Sequence, residues 1–538
     1  MRMQKRRRIS MTETKHSRDR RAIAFPAMPG TSEPAEPRKV VVIGGGIAGL
    51  AAACGLIERG VAVDLIEPEE QLGGRVRAWN TESAAGNVTM SRGFHAFFRQ
   101  YYNLRALLSR AGNLDGLLQP VEDYPVVSAR GDKDSFSNIP RTPPWNFISF
   151  VMRSPTFSAR DLTRVDMDTA LSLLDVDFPE TYRQLDGVSA ADFLDRLHFP
   201  ERARHLALEV FARSFFAHPS DFSAGEIVAM FHSYFLGSSE GLLFDVPRDD
   251  FETSLWNPLG VVLERAGVRR ISGRVERFES DPADGRWRVL LADGRHHEGD
   301  AVVLAAGPEG TRQIMSASPS LPQSPGATDW RNKIEQIPLA PPFAVLRLWF
   351  DGLLRPDRPA FLGTADFGPL DNVSVLERFE AGARDWSVAH GGSVVELHAY
   401  AIPVETPGDH VREQALASQL RAELERVYPE TAGLTAVAEE LLIERDCALI
   451  GTNSWEERLE VRTPHLGLVL AGDWVRCDLP VALMERAATT GWMAANQLLE
   501  SWGVAGHDLW SVPTRGRHWW PREARKLMAR LPNSKKSR

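Results

Sequence analysis

Lys39–Leu50, KVVVIGGGIAGL, is an apolar strand that runs straight into a glycine turn and then into the small residues Ala51, Ala52 and Ala53. Each glycine has a mechanical task. Gly44 permits a tight turn, Gly46 lets the backbone approach a pyrophosphate, and Gly49 lets the helix pack on the strand. The helix start presents unpaired N–H groups and a positive dipole end to phosphates. A second apolar run, VAVDLIE, ends in Glu67, about twenty residues on, where a carboxylate accepts from ribose hydroxyls. Together these signals predict a strand–helix–strand unit that holds a dinucleotide.

Gln71-Leu72-Gly73-Gly74-Arg75 follows Glu67 as a second glycine turn carrying a cation. Such a turn closes over the same pyrophosphate, with Arg75 adding charge, and a nicotinamide dehydrogenase has no need of it. Glu67 with Gly73-Gly74-Arg75 resembles the large group of FAD oxidoreductases that includes amine oxidases and carotenoid desaturases. The expected cofactor is FAD. The expected fold class is α/β, a Rossmann-type FAD-binding domain with a discontinuous α+β substrate domain.

The chain has 538 residues, enough for two or three domain-sized units. Apolar residues make up 43% and charged residues 25%, an ordinary globular composition. A net charge of −8 argues against a nucleic-acid partner. Cys54, Cys447 and Cys477 are too scattered for a disulfide framework or a metal cluster, so no metal is expected and a reducing cytoplasm fits. No stretch reaches the eighteen or so continuous apolar residues of a membrane span. Lys5-Arg6-Arg7-Arg8 has no apolar core after it and fails as a signal peptide.

The nucleotide-binding unit recurs along the chain. Its second visit, from Ile271 to Pro308, reads as a β-meander (VERFES, WRVLLAD) feeding the strand Ala301–Ala306, with Val275 placed to meet the adenine. Its third, from Gly467 to Leu499, has a strand ending in Gly472-Asp473 and a helix expected near Val481, with Pro480 at its entrance. The FAD domain is therefore expected over 38–115, 256–335 and 456–502. The substrate domain is expected over 116–255, helical and rich in aromatics, and 336–455, strands followed by an amphipathic helix from Val411 to Tyr428. Residues 1–37 are expected to be a disordered arm and 503–538 a basic, aromatic tail, disordered in solution from Arg517 to Arg538.

Ser91–Leu104, SRGFHAFFRQYYNL, resembles the signature of carotenoid desaturases of the plant and cyanobacterial phytoene desaturase type. That block, RCDLPVALMERAATTGWMAANQLL and GHDLWSVPTRGR further resemble bacterial β-carotene desaturase/methyltransferases, or isorenieratene synthases. The resemblance implies a carotenoid substrate and a β-ionone ring made aromatic. Aromatisation removes four hydrogens in two two-electron oxidations and moves one methyl from ring carbon 1 to carbon 2. Hydride loss from carbon 2 leaves a cation beside a quaternary carbon, the setting for that shift. The methyl is already on the substrate, so no methyl donor is needed. Quinone or oxygen is the implied electron acceptor.

His95 is the leading candidate for a general base, set against a role in fixing its loop by a hydrogen bond. Arg99 is weighed as a catalytic cation or one half of an internal ion pair. The resemblance implies that Asp473 accepts a bond from the ribityl chain. Asp478 and Glu485 are candidate proton donors, since a carboxyl in an apolar pocket has a raised pKa; a surface pair of Glu485 with Arg486 or Arg476 is the plainer alternative. Aromatic residues Phe211, Phe215, Phe216, Phe222, Phe231, Tyr234, Phe235 and Phe244 line a polyene tunnel or simply form core. Trp145–Met152 and the tail with Trp519, Trp520, Arg522, Arg525, Lys526 and Arg530 suit a membrane surface, giving peripheral attachment to the inner face of the cell membrane. The rival functions are a linear carotene desaturase or isomerase, a flavin amine oxidase with Cys477 attached to flavin, and a non-catalytic prenyl-protein chaperone.

Overall fold

A computed structural model describes residues 19–157, 163–198, 200, 215–280, 285–321 and 324–530. Its centre is a five-stranded sheet in the order Arg269–Ser272, Ala62–Glu67, Lys39–Ile43, Ala301–Leu304 and Leu468–Leu470, with every pair parallel. All three sequence visits therefore meet in one sheet. Its inner strands are apolar without alternation because both faces are covered, by helices Ile47–Ile57 and Leu483–Ser501 and by an antiparallel meander, and Val40, Val41, Val42, Val302 and Val303 are fully buried. The meander Val275–Ser280, Trp287–Leu291 and His296–Gly299 forms its own antiparallel sheet and delivers the strand Ala301–Leu304.

Helix Ile47–Ile57 lies directly against the long helix Leu483–Ser501. A Cβ on Gly491 would fall 2.2 Å from the Ala48 carbonyl oxygen, and one on Gly55 would fall 2.8 Å from the Ala495 Cβ. The small residues Gly491 and Ala495 therefore serve helix–helix contact, whereas Ala487 on the same helix reaches the central cavity.

A seven-stranded sheet makes the second layer, ordered Ala436–Glu444, Phe343–Phe350, Val394–Ala399, Asn372–Val375, Phe361–Ala365, Val126–Ser128 and Lys133–Asp134. Helix His410–Val427 covers one face with Leu416, Leu420 and Leu424, against Leu346, Leu348, Val395 and Leu397. Period-two alternation sends Val345, Arg347, Glu396 and His398 to the opposite face. The segment 116–255 is not purely helical as expected: Val126–Ser128 pairs in parallel with Phe361–Ala365 and extends this sheet. Short strands with a polar turn between them carry too few residues for a periodic signal.

Both chain ends differ from expectation. From residue 19 the N-terminal segment is tied down: Ile23–Phe25 pairs antiparallel with Leu509–Ser511, and Asp19 accepts from the Ser239 backbone N–H at 2.5 Å. The tail forms that strand and the helix Trp520–Arg530. Each end was unreadable alone because each supplies the other's hydrogen-bond partners. Residues 1–18, with Lys5–Arg8, and Phe211 lie outside the described residues. Most of the remaining aromatic cluster, including Phe215, Phe222, Tyr234 and Phe235, is core of the helical layer, while Phe216 and Phe244 reach the cavity.

Among the described residues no helix is long and apolar enough to cross a membrane, and no group of His, Cys, Asp or Glu is placed to hold a metal.

Two buried histidines fasten the C-terminal segment. His232 Nε2 lies 2.6 Å from the Pro513 carbonyl oxygen and His507 Nε2 lies 2.9 Å from that of Gly55. Burial lowers each pKa from 6.5 to about 4. The unfolded chain takes up these protons near 6.5 and the folded chain only near 4, so their stabilisation is full above 6.5 and is lost as pH falls toward 4. Urea unfolding midpoints at stepped pH are expected to drop across this window, and His232→Gln is expected to flatten part of the drop.

Candidate active site

The two glycine turns form one cradle. Gly44 has φ +105°, and a Cβ there would sit 2.6 Å from the Ala305 carbonyl oxygen. The Gly73 N–H donates to the Gly45 carbonyl at 2.9 Å, and a Cβ on Gly74 would lie 3.0 Å from the Gly46 Cα. Glu67 is buried beside them; its Oε2 accepts from the Gly45 N–H at 2.6 Å and its Oε1 from the Glu69 N–H at 3.0 Å. Burial raises its pKa, against the pull of those two N–H groups. Gly44, Gly46, Glu67, Gly73, Gly74 and Arg75 all line one cavity of about 570 Å³. Val275, Gly472 and Asp473 line it from the second and third visits.

Gly49 does not touch the cavity; a Cβ there would fall 1.9 Å from the Gly44 carbonyl oxygen, so its absence permits the turn itself. Arg75 pairs with Asp473, joining the first and third visits across the cavity. Pro480 stands apart. The helix begins at Leu483, later than expected, and the Pro480 carbonyl accepts from Ser233 Oγ at 2.7 Å. Leu483 opens the helix with φ +53° and lines the cavity with Met484 and Ala487. A β-region break after Pro480 lets the chain turn into the cavity before the helix starts, which proline position alone does not encode.

The residues at the polar end fit FAD. A Cβ on Gly46 would meet nothing nearer than the Gly74 Cα at 3.7 Å, and one on Gly307 would meet nothing within 4 Å, so both face open space along the cradle. The Glu67 carboxylate, the Arg75 guanidinium and the N–H groups at the start of helix Ile47–Ile57 supply the ribose and phosphate partners a dinucleotide needs.

Beyond the cradle the cavity wall turns aromatic. Phe94 stacks on Phe361 with centroids 4.4 Å apart, and Phe98 lies 5.3 Å from Phe244. Tyr124 stacks on Phe136 at 4.7 Å, and Phe136 on Phe150 at 5.0 Å. Phe150 belongs to helix Trp145–Arg153, whose other side exposes Trp145, Ile148 and Met152.

The expected proton-handling residues separate. His95 lines the cavity, with Nδ1 2.8 Å from the Gly93 carbonyl oxygen. Burial lowers its pKa to about 4, so the ring is neutral near pH 7 and donates from Nδ1. Arg99 pairs with Asp245 at 3.0 Å, a carboxylate on strand Phe244–Pro247 that also takes Arg105 of helix Tyr102–Leu108 at 2.7 Å, and it lies off the cavity. Asp478 has a side chain 59% exposed, 3.7 Å from Arg476, and no apolar pocket around it. Glu485 is buried but turned away, accepting the Asn103 and Leu104 N–H groups, each at 2.9 Å, at the start of helix Tyr102–Leu108. Burial pushes it up to about 8 against those two bonds. Arg486, its expected partner, pairs instead with the fully buried Glu226 at 2.5 Å. Cys477 packs with Leu479 and Val481, away from the cavity.

The cavity also holds a group that sequence reasoning missed. His398 and Tyr400 line it, with Glu396 behind them. A Cβ on Gly93, at φ +92°, would fall 2.5 Å from the His398 ring, so the loop carrying Phe94 and His95 lies flat on that imidazole. The signal was present in SVVELHAYA, where Glu396 and His398 alternate with apolar residues on a wholly buried strand and Tyr400 continues the period past its end.

The sequence profile of the flavin-containing amine oxidoreductases matches residues 47–499. The chain belongs to that family. Within it the chain groups with the carotenoid desaturase-like FAD oxidoreductases: it is 50% identical over 507 residues to a carotenoid phi-ring synthase of Streptomyces griseus, covering 94% of this chain and 96% of that one. It is 25% identical over 597 residues to the carotenoid phi-ring synthase of Chlorobaculum tepidum, covering 89% and 91%. Wild-type putrescine oxidase bound to putrescine shares the fold, with a TM-score of 0.61 at 16% identity, covering 86% of this chain and 99% of that one. The protein is an FAD-dependent oxidoreductase.

Gly73→Ala tests the cradle. The φ of +97° and a Cβ 2.2 Å from Trp256 Nε1 leave no room for a methyl group. FAD affinity, read from flavin retained per protein on dilution, is expected to fall about tenfold or more, since such strain costs about 1–3 kcal/mol.

Proposed function

We propose that this enzyme oxidises the β-ionone ring of a carotenoid such as β-carotene to an aromatic ring, with one methyl moving from carbon 1 to carbon 2. The observation that carries this reading is a single cavity with a dinucleotide cradle at one end and an aromatic wall at the other. Identity of 50% to a carotenoid phi-ring synthase supports the choice of ring chemistry over a linear desaturase or isomerase. FAD, when bound, supplies a hydride acceptor for each two-electron oxidation. The chain's own residues bind and enclose the substrate. The Phe94–Phe361 and Tyr124–Phe136 stacks offer flat apolar surface to a polyene, and the wall excludes water from the cation, which water would otherwise trap. Electrons pass onward to quinone or oxygen.

Expression in a bacterium that makes β-carotene, followed by mass analysis of the pigment, tests this. Loss of four hydrogens per ring with an unchanged carbon count is expected. Unchanged β-carotene with FAD bound would refute the reading.

The same proposal includes peripheral attachment to the inner face of the cell membrane, where carotenes dissolve. Its support is helix Trp145–Arg153: Phe150 stacks on the cavity wall while Trp145 and Met152, 61% and 80% exposed, face outward at helical spacing. The tail contributes Trp519 and Trp520, and three of its described cations are engaged: Arg522 pairs with Asp175, Arg525 with Asp168, and Lys526 with Glu523. Binding is therefore expected to rest on apolar insertion. In flotation with phosphatidylcholine vesicles the protein is expected to rise with lipid, and Trp145→Asp/Met152→Asp to remain below.

A further inference from the structure

Strand Val394–Ala399 places Glu396 and His398 on the face opposite helix His410–Val427, and Tyr400 continues the same period just past the strand end. Arg347, on the neighbouring strand, donates to Glu396 Oε2 from Nε at 3.1 Å and Nη2 at 2.5 Å. Its other N–H groups go to the Thr89 carbonyl at 2.6 Å and Ser91 Oγ at 2.8 Å. Burial pushes the Glu396 pKa up, but Arg347 and His398 outweigh it and hold the carboxyl at about 2. The carboxylate is ionised and only accepts.

Glu396 Oε1 lies 2.9 Å from His398 Nε2, so that nitrogen carries the proton. The Phe94 N–H is directed at the same nitrogen from 3.2 Å and competes for it, but the ionised carboxylate is nearer and holds the proton there. The Nδ1 lone pair therefore faces the Tyr400 hydroxyl at 2.6 Å. That hydroxyl also accepts from Asn372 Nδ2 at 3.1 Å, which leaves its own proton directed at His398. Carboxylate, imidazole and phenol thus form a chain that ends at the cavity, beside Phe216, whose ring centroid is 5.1 Å from that of Tyr400.

We propose that Tyr400 is the catalytic proton acceptor of the ring oxidation, with His398 and Glu396 as positioning residues that receive and balance its proton. This rests on the β-ring reading above. Once hydride has left carbon 2 for the flavin and the methyl has moved there from carbon 1, the remaining hydrogen on carbon 2 is acidic. The C–H bond breaks, its electron pair becomes the carbon 1–carbon 2 double bond, and the proton goes to the Tyr400 oxygen. The phenol's own proton passes to His398 Nδ1, and the imidazolium rests against ionised Glu396. A neutral phenol suffices because a carbocation is a far stronger acid than any side chain. His95 has no carboxylate behind it, and Asp478 and Glu485 do not reach the cavity.

The test uses purified FAD-bound protein with β-carotene in phosphatidylcholine vesicles. Tyr400→Phe removes one oxygen and is expected to lower kcat about a hundredfold, with KM and bound flavin unchanged. Anaerobic flavin bleaching in that variant is expected to slow less than the appearance of the aromatic ring. His398→Gln is expected to lose kcat in the same way with KM unchanged. A purely structural part would show itself as a higher KM or lost flavin. Turnover of Tyr400→Phe like the wild type, or a rise in KM alone, would overturn the proposal. Inactivity of the wild type toward β-carotene would overturn the β-ring reading and this proposal with it.

Discussion

Everything in this molecule is hung on a contact between two stretches of backbone that lack side chains. The turn Gly44–Gly46 and the turn Gly73-Gly74 lie close enough that a single Cβ on Gly74 would press on the Gly46 Cα. That approach, sealed by the Gly73 N–H to Gly45 carbonyl bond, brings the first helix N-terminus, Glu67 and Arg75 to one line. A dinucleotide needs phosphate donors and a ribose acceptor at fixed spacing, and here the spacing is a property of backbone rather than of flexible side chains. The Arg75–Asp473 pair then ties the distant third visit to the same line.

The substrate layer meets a different constraint. Its sheet must present an apolar face to helix His410–Val427 and another face to the cavity, so alternate residues are free to be polar where they meet the site. Arg347, Glu396 and His398 use that freedom. Burying such charges is costly unless every one is paired, and each of the three has its partner on this face. The same requirement explains Glu226, which takes both Arg458 and Arg486 at no exposure. The set around Glu396 opens on the cavity, as do the Arg75–Asp473 and Arg92–Asp446 pairs.

Joining a polar cradle to an aromatic wall gives one continuous space with two chemical characters. FAD and a long apolar substrate have just these opposite solvation needs, so the border between the two regions is where oxidation is expected. His95 and His398 both line this space, and the backbone at Gly93-Phe94 between them is shaped by the absence of a Cβ at residue 93.

Sequence alone determined the FAD cofactor, the two glycine turns, the strands from three stretches that join one parallel sheet, and the main strands and helix of the second layer. These are local: glycine spacing, uninterrupted apolar runs and period-two or helical patterns are carried by neighbouring residues. Tertiary structure decided the rest. The pairing of Ile23–Phe25 with Leu509–Ser511 joins opposite ends of the chain, and neither end has a pattern without the other. Arg99, Asp478 and Glu485 read as reactive because their residue types are, yet the fold pairs Arg99 with Asp245 and Glu485 with the Asn103–Leu104 backbone and leaves Asp478 exposed, all off the cavity. Tyr400 and His398 read as strand residues, and only the face they share with the cavity separates them from core. Chemistry at a buried site depends on which side chains are brought within hydrogen-bond reach, and distance along the chain says nothing about that.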